Sequence, residues 1–139
     1  MHYFTFASKD SYISSGSNRI TGVSEKDRNF GQDQILEVKK EFFNDSFDYP
    51  TRALVQFDLT TISESVADGT ITNPSYFLRL YEADGNQEQT LDYTLAAQAI
   101  SQSWDEGVGK SGDNPKTTNG CSWENRINKP GISALTWSN

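Results

Sequence analysis

The chain has 139 residues, enough for one domain around one hydrophobic core. Only 35% of residues are hydrophobic and the mean hydropathy is -0.67, yet eight Phe, six Tyr and three Trp exclude a disordered composition. A net charge of -7 repels phosphate backbones and argues against nucleic acid as a partner.

Period-two patterning dominates from the first residues. His2–Ser8 alternates and is rich in aromatic residues, and Ser11–Ser14 continues it. Gln34–Lys40 predicts a strand with Leu36 and Val38 inward. Arg52–Leu59 is the clearest strand: Ala53, Val55, Phe57 and Leu59 share one face, Gln56 and Asp58 the other. Phe57 is the expected core anchor, and Asp58 stands where it can cap the next turn. Leu59–Gly69 has room for one short helical turn with Ser63 as its cap. Tyr76–Ala83 puts Leu78 and Leu80 on one face and Phe77, Arg79 and Tyr81 on the other, with Arg79 available to a carboxylate on a neighbouring strand. Leu91–Ser101 alternates at Leu91, Tyr93 and Leu95, with a helical turn as the alternative for its second half, and Ser133–Trp137 predicts a last strand. Turn signals separate these runs, among them Asn29-Phe30-Gly31, Asn44-Asp45-Ser46 and Asp84-Gly85-Asn86.

Strands, long polar connections and little helix predict an all-β fold, an antiparallel β-sandwich with jelly-roll-like connections. About six strands are countable, against the roughly seven or eight that cover both faces of a sandwich. The expectation is a single domain over residues 1–139 that is incomplete at its C-terminus. A longer polypeptide or a partner chain then supplies the remaining face, with the segment Ile132–Trp137 in the interface.

The stretch from Trp104 to Pro115 contains Gly107-Val108-Gly109-Lys110-Ser111, the tail of a phosphate-binding loop to the eye. The motif needs a glycine where Trp104 stands. It also needs a helix to follow, and Gly112-Asp113-Asn114-Pro115 opens none. Asp105 and Glu106 would repel a triphosphate, so a surface turn is expected and nucleotide binding is not. His2 is the only histidine and Cys121 the only cysteine, which leaves no basis for thiol catalysis, a disulfide or a cysteine metal cluster. Acidic turns at Asn44–Asp48 and Asp84–Asn86 offer oxygen ligands but lack the ordered calcium-loop pattern, so no cofactor or metal is expected. No apolar run approaches the roughly 20 residues of a membrane span, and the N-terminus is not a signal peptide. Trp104 precedes Asp105 and Glu106, and Trp123 precedes Glu124. Aromatic rings beside acids form sugar platforms, and paired carboxylates serve glycosidases. The competing reading has both indoles plugging the core and the acids solvated. These five residues are the candidate glycan or partner contacts.

Taken in order, FASKDSYISSG, NFGQDQILEVKK, TRALVQFDLTTIS, FLRLYEA, SQSWDEGVGK and GCSWENR resemble the DNRLRE-type β-sandwich domain. The version with this tryptophan-glycine loop is similar to that of virion structural proteins of large tailed bacteriophages, including cyanophages. The resemblance covers nearly the whole chain. It implies structural roles for Asp10 and the Asn29-Phe30-Gly31 turn, for Arg52, Leu54, Phe57 and Asp58, and for Leu78, Arg79, Leu80 and Tyr81. It makes Trp104, Gly107 and Gly109 a structural crossing, which Trp123 helps to clamp. It further implies a non-enzymatic virion component of tail, baseplate or fibre, docked to other virion proteins in a symmetric assembly. Other relatives are grouped with carbohydrate-binding modules, and these imply the alternative, a glycan-binding module for adhesion to a host surface. Exposed coplanar rings over a groove would mark the second role.

Overall fold

The computed structural model describes residues 2–18, 21–43, 46–83 and 94–138. In chain order the elements are β1 (Ala7–Ser14), β2 (Glu41–Phe43), β3 (Ser46–Asp48), β4 (Thr51–Phe57), α1 (Thr60–Ala67), β5 (Asn125–Ile127) and β6 (Leu135–Thr136). The protein is all-β with one short helix. Among the described residues the strands pair as three two-stranded antiparallel ladders, β1 with β4, β2 with β3 and β5 with β6. Long loops, not further strands, cover the main ladder. The chain divides into two compact units, residues 1–57 with 102–139, and residues 58–101.

The β1–β4 ladder organises the first unit. Its register sets Ser11 opposite Leu54 and Ile13 opposite Arg52, with a bulge between Ala7 and Lys9. Directly opposed residues share a face. One face therefore carries Lys9, Ser11, Ile13, Arg52 and Leu54. Here Ile13 and Leu54 form the hydrophobic core with Trp104 and Cys121, and Trp123 and Trp137 pack against it half-buried. Two cations lie over the indoles, Lys9 Nζ 4.5 Å from the Trp104 ring and the Arg52 guanidinium 4.9 Å from Trp123. The other face carries Tyr12, whose ring stacks on Phe30 with centroids 4.2 Å apart and planes 17° from parallel. Its hydroxyl donates to Asp33 Oδ2 at 2.9 Å, and burial together with that bond raises the phenol's pKa.

Cover on both faces corrects the expected orientation of β4. Leu54 is 5% exposed and belongs to the core, whereas Ala53, Val55 and Phe57 are half-buried and Leu59 is exposed. Phe57 is not the anchor, because the loops carrying Trp104 and Cys121 pack on the face of Leu54. The predicted first strand also moves. Pairing begins at Ala7, and Tyr3, Phe4 and Phe6 are exposed. Gln34–Lys40 forms no strand. Leu36 is half-buried, Val38 is exposed, and only Lys39 pairs with the start of β4, its N–H donating to Thr51 Oγ1 at 2.7 Å and its carbonyl accepting from Thr51 N at 2.9 Å. The last predicted strand contains β6.

The second unit holds α1, eight residues long where one turn was expected. Ser63 lies inside it and is no cap: its N–H donates to Leu59 O at 2.8 Å. Asp58 holds the entry, its Oδ1 accepting from Thr60 N at 3.0 Å and Thr60 Oγ1 at 2.7 Å. Both bonds lower the Asp58 carboxyl below its ordinary value. The expected strand at Tyr76–Ala83 does not form, and Leu78, Arg79, Leu80 and Tyr81 are exposed. No described residue of this unit is buried, so nothing within it covers a strand face there. Thr94–Ser101 likewise forms no strand, and Leu91 and Tyr93 lie outside the described residues.

Candidate functional site

The Trp104–Ser111 loop is built around one side chain, Asn29. Asn29 is 0% exposed, and its amide uses every hydrogen-bonding position it has. Nδ2 donates to Glu106 O at 2.7 Å and to Cys121 O at 2.8 Å. Oδ1 accepts from Gly109 N at 2.7 Å and Gly31 N at 3.2 Å. The loop glycines lie so close that a Cβ would collide: at Gly107 it would stand 2.3 Å from Asn29 Oδ1, at Gly109 2.4 Å from Asn29 O. Gly107 also has φ +85°, a conformation that side chains disfavour.

The same bonds occupy the amides that a phosphate would need. Val108 N donates to Asn119 O at 3.2 Å, Gly109 N to Asn29, Lys110 N to Asp113 Oδ2 at 2.9 Å and Ser111 N to Asp33. Arg28, itself buried and ion-paired with Glu25, donates to Ser111 O at 2.6 Å. Four consecutive N–H groups thus point at internal acceptors, and no nucleotide cradle exists in this loop.

Beside the loop lies an open depression of about 430 Å³, lined by Asp105, Glu106, Val108, Asn119, Lys129 and Pro130. Lys129 Nζ is 2.8 Å from Asp105 Oδ2. Glu106 Oε1 accepts from Asp10 N at 2.9 Å. Burial, and then the Glu106 charge, raise the Asp10 carboxyl above its ordinary value. The lining thus presents two carboxylates, an amide and an ammonium beside two apolar side chains, a set that accepts and donates hydrogen bonds.

The structure separates the five candidate contacts. Asp105 and Glu106 line the depression. Trp104 is 4% exposed, with Lys9 over its ring, and is no sugar platform. Trp123 is half-buried beneath Arg52. Glu124 is exposed and outside the depression. Among the described residues Tyr12 and Phe30 stack, and that pair is buried in the first unit. Asn119, Lys129 and Pro130 escaped sequence reasoning, because chain closure and not spacing brings them beside Asp105. Cys121 is fully buried, and burial pushes its thiol up to about 11, which makes it inert as a nucleophile at neutral pH. His2 is exposed. No group of three or more His, Cys, Asp or Glu residues suited to a metal occurs among the described residues. Of the acidic turns, Asn44-Asp45 and Asp84-Gly85-Asn86 lie outside those residues.

A family model, carbohydrate-binding module family 96, matches residues 2–127. The chain belongs to this family. The match runs from the arm before β1 to the last residue of β5, and so takes in Asn29, the Trp104–Ser111 loop and Asn119. It describes binding modules and names neither the DNRLRE type nor a phage protein. Of the two roles implied by the sequence resemblance, it supports the carbohydrate-binding one. No curated protein and no solved structure matches the chain.

Proposed function

We propose that this chain is a non-catalytic module that binds carbohydrate in the depression beside the Trp104–Ser111 loop. The observation that carries this reading is the match to a carbohydrate-binding family across residues 2–127. The chemistry of the depression agrees with it. A sugar ring offers paired hydroxyls at its rim and C–H groups on its faces. The carboxylates of Asp105 and Glu106 accept from such hydroxyls, the Asn119 amide both donates and accepts, and Val108 and Pro130 take the C–H face. No aromatic ring lines the depression, so hydrogen bonds to charged groups carry most of the binding.

In this reading the module anchors a larger protein or particle to a glycan-bearing surface. A phage virion that adheres to its host is one such setting, and mass spectrometry of purified particles tests it: detection of the chain supports it and absence removes it. The binding itself is tested by affinity electrophoresis of the purified chain through gels containing a soluble β-glucan, a β-mannan or a polygalacturonate. At least one polymer is expected to retard it. Glu106→Gln and Asn119→Ala are each expected to weaken that retardation about tenfold, the worth of one good hydrogen bond. Free mobility in all three gels overturns the reading.

A further inference from the structure

We infer that Asn29 is the positioning residue of the carbohydrate site, a buried amide that holds the binding loop in its sugar-ready shape. The inference rests on the proposed function above, since it assigns how that same depression is made. Three features of the geometry lead to it.

First, Asn29 ties together the two segments that line the depression. Its Nδ2 bonds to the carbonyl of Glu106, and its own backbone N–H donates to Thr117 O at 2.9 Å, two residues before Asn119. Two further side-chain bonds reach Gly109 and Cys121, which flank the same two segments, and Gly31 N takes the last position. One residue, through its backbone and its side chain, thus bridges the segment of Glu106 to the segment that carries Asn119.

Second, the glycines make the loop conform to the asparagine. A Cβ on Gly120 would stand 2.4 Å from Asn29 Nδ2 and 2.4 Å from Gly107 Cα, and Gly120 has φ +124°. Together with Gly107 and Gly109, three glycines let the backbone close on a single amide. A loop that served only as a crossing would need the close approach, but not an amide with three of its four positions bonded to the lining segments or to residues flanking them.

Third, the arrangement fixes direction. With the Glu106 carbonyl bound to Asn29, the Glu106 carboxylate is left to meet the Asp10 N–H and line the depression. Val108 N bonds Asn119 O, and the Val108 side chain is left exposed. A loop ordered before the ligand arrives does not lose that freedom on binding, which raises affinity without a new contact.

The chemistry of Asn29 makes a sharp test. Asn29→Asp keeps the shape but turns two N–H donors into an oxygen facing the carbonyls of Glu106 and Cys121, which repels both. Gly109→Ala strikes the same node from the loop side. Ile13→Ala opens the core beside Trp104 but removes no bond of Asn29 and no residue lining the depression, and so controls for lost stability. Dissociation constants are measured for whichever of the three polymers retards the wild-type chain most, at a temperature where circular dichroism shows each variant folded. Asn29→Asp and Gly109→Ala are expected to weaken binding at least about tenfold and Ile13→Ala less than about twofold. In parallel, NMR of the wild-type chain reads the Asn29 side-chain amide, expected to be protected from exchange without ligand and unchanged on adding it. That measurement decides the matter should Asn29→Asp not fold. Wild-type binding with undiminished binding by folded Asn29→Asp overturns the inference alone. So does an equal loss in Ile13→Ala, or an Asn29 amide protected only when ligand is bound. Absence of wild-type binding overturns the carbohydrate reading, and the inference with it.

Discussion

The side chain of Leu54 packs in one cluster with Ile13, Trp104 and Cys121, while Phe57, three residues on, is only half-buried. Burial, not ring size, sets what each contributes. Truncating a buried leucine removes its transfer energy and leaves a cavity, whereas a half-exposed ring has less to lose. Leu54→Ala is therefore expected to cost about 2–5 kcal/mol, and Phe57→Ala about 1 kcal/mol. Urea denaturation midpoints compare them, and an equal or larger loss for Phe57→Ala would show that the ring carries the core. Asn29 shows the same principle for polar groups. A buried amide is tolerated because each of its donors and acceptors is satisfied.

Among the elements, α1 depends on a single carboxylate at its entry. It buries no residue and has no acidic residue in its first turn, so packing and the helix dipole add little. Asp58 receives the N–H and hydroxyl of Thr60, and these bonds hold its carboxyl below the ordinary value of 3.8. The sign follows from linkage: a depressed carboxylate stabilises the folded form above its ordinary value and loses that contribution as pH falls through its lowered one. The Cα chemical shifts of Thr60–Ala67 are expected to move toward coil on acidification below 3.8. Asp58→Ala should produce that shift already at neutral pH, and helical shifts that ignore both changes would remove Asp58 from the helix entry. The β1–β4 ladder differs in kind, since loops cover it on both faces and its stability comes from tertiary packing.

For the whole molecule, the two units differ in what they bury. Residues 1–57 and 102–139 hold the core, the Asn29 node and the depression, whereas the described part of residues 58–101 buries nothing. Phe77 in that second unit is 90% exposed, and Tyr76 and Tyr81 are exposed beside it. A protease that cuts after aromatic residues reads this contrast directly. Brief chymotrypsin treatment, followed by mass spectrometry, is expected to cut at Tyr76–Tyr81 and in the Tyr3–Phe6 arm before Tyr12, Phe30 or Trp104. Simultaneous cleavage at Tyr76–Tyr81 and Trp104 would mean that the two units are equally protected.

The sequence by itself determined the all-β class, through period-two runs broken by turn residues, and the absence of a phosphate loop, through Trp104 in place of a glycine and Pro115 in the flank. It also placed Asp58 before the helix. Each of these acts over a few neighbouring residues, through sterics or local hydrogen bonding, and so leaves a local trace. Tertiary structure alone decided which face of β4 carries the core. Alternation marks an inward face only where one face is covered, and here Trp104 and Cys121 cover one side of the ladder and Phe30 the other. It alone assembled the depression from Asp105, Glu106, Asn119 and Lys129, and it alone gave Asn29 its place beneath them. The bonds of that asparagine reach Glu106 and Cys121 across separations of 77 and 92 residues. A contact that spans such lengths depends on how the whole chain closes, and no short stretch of sequence records it.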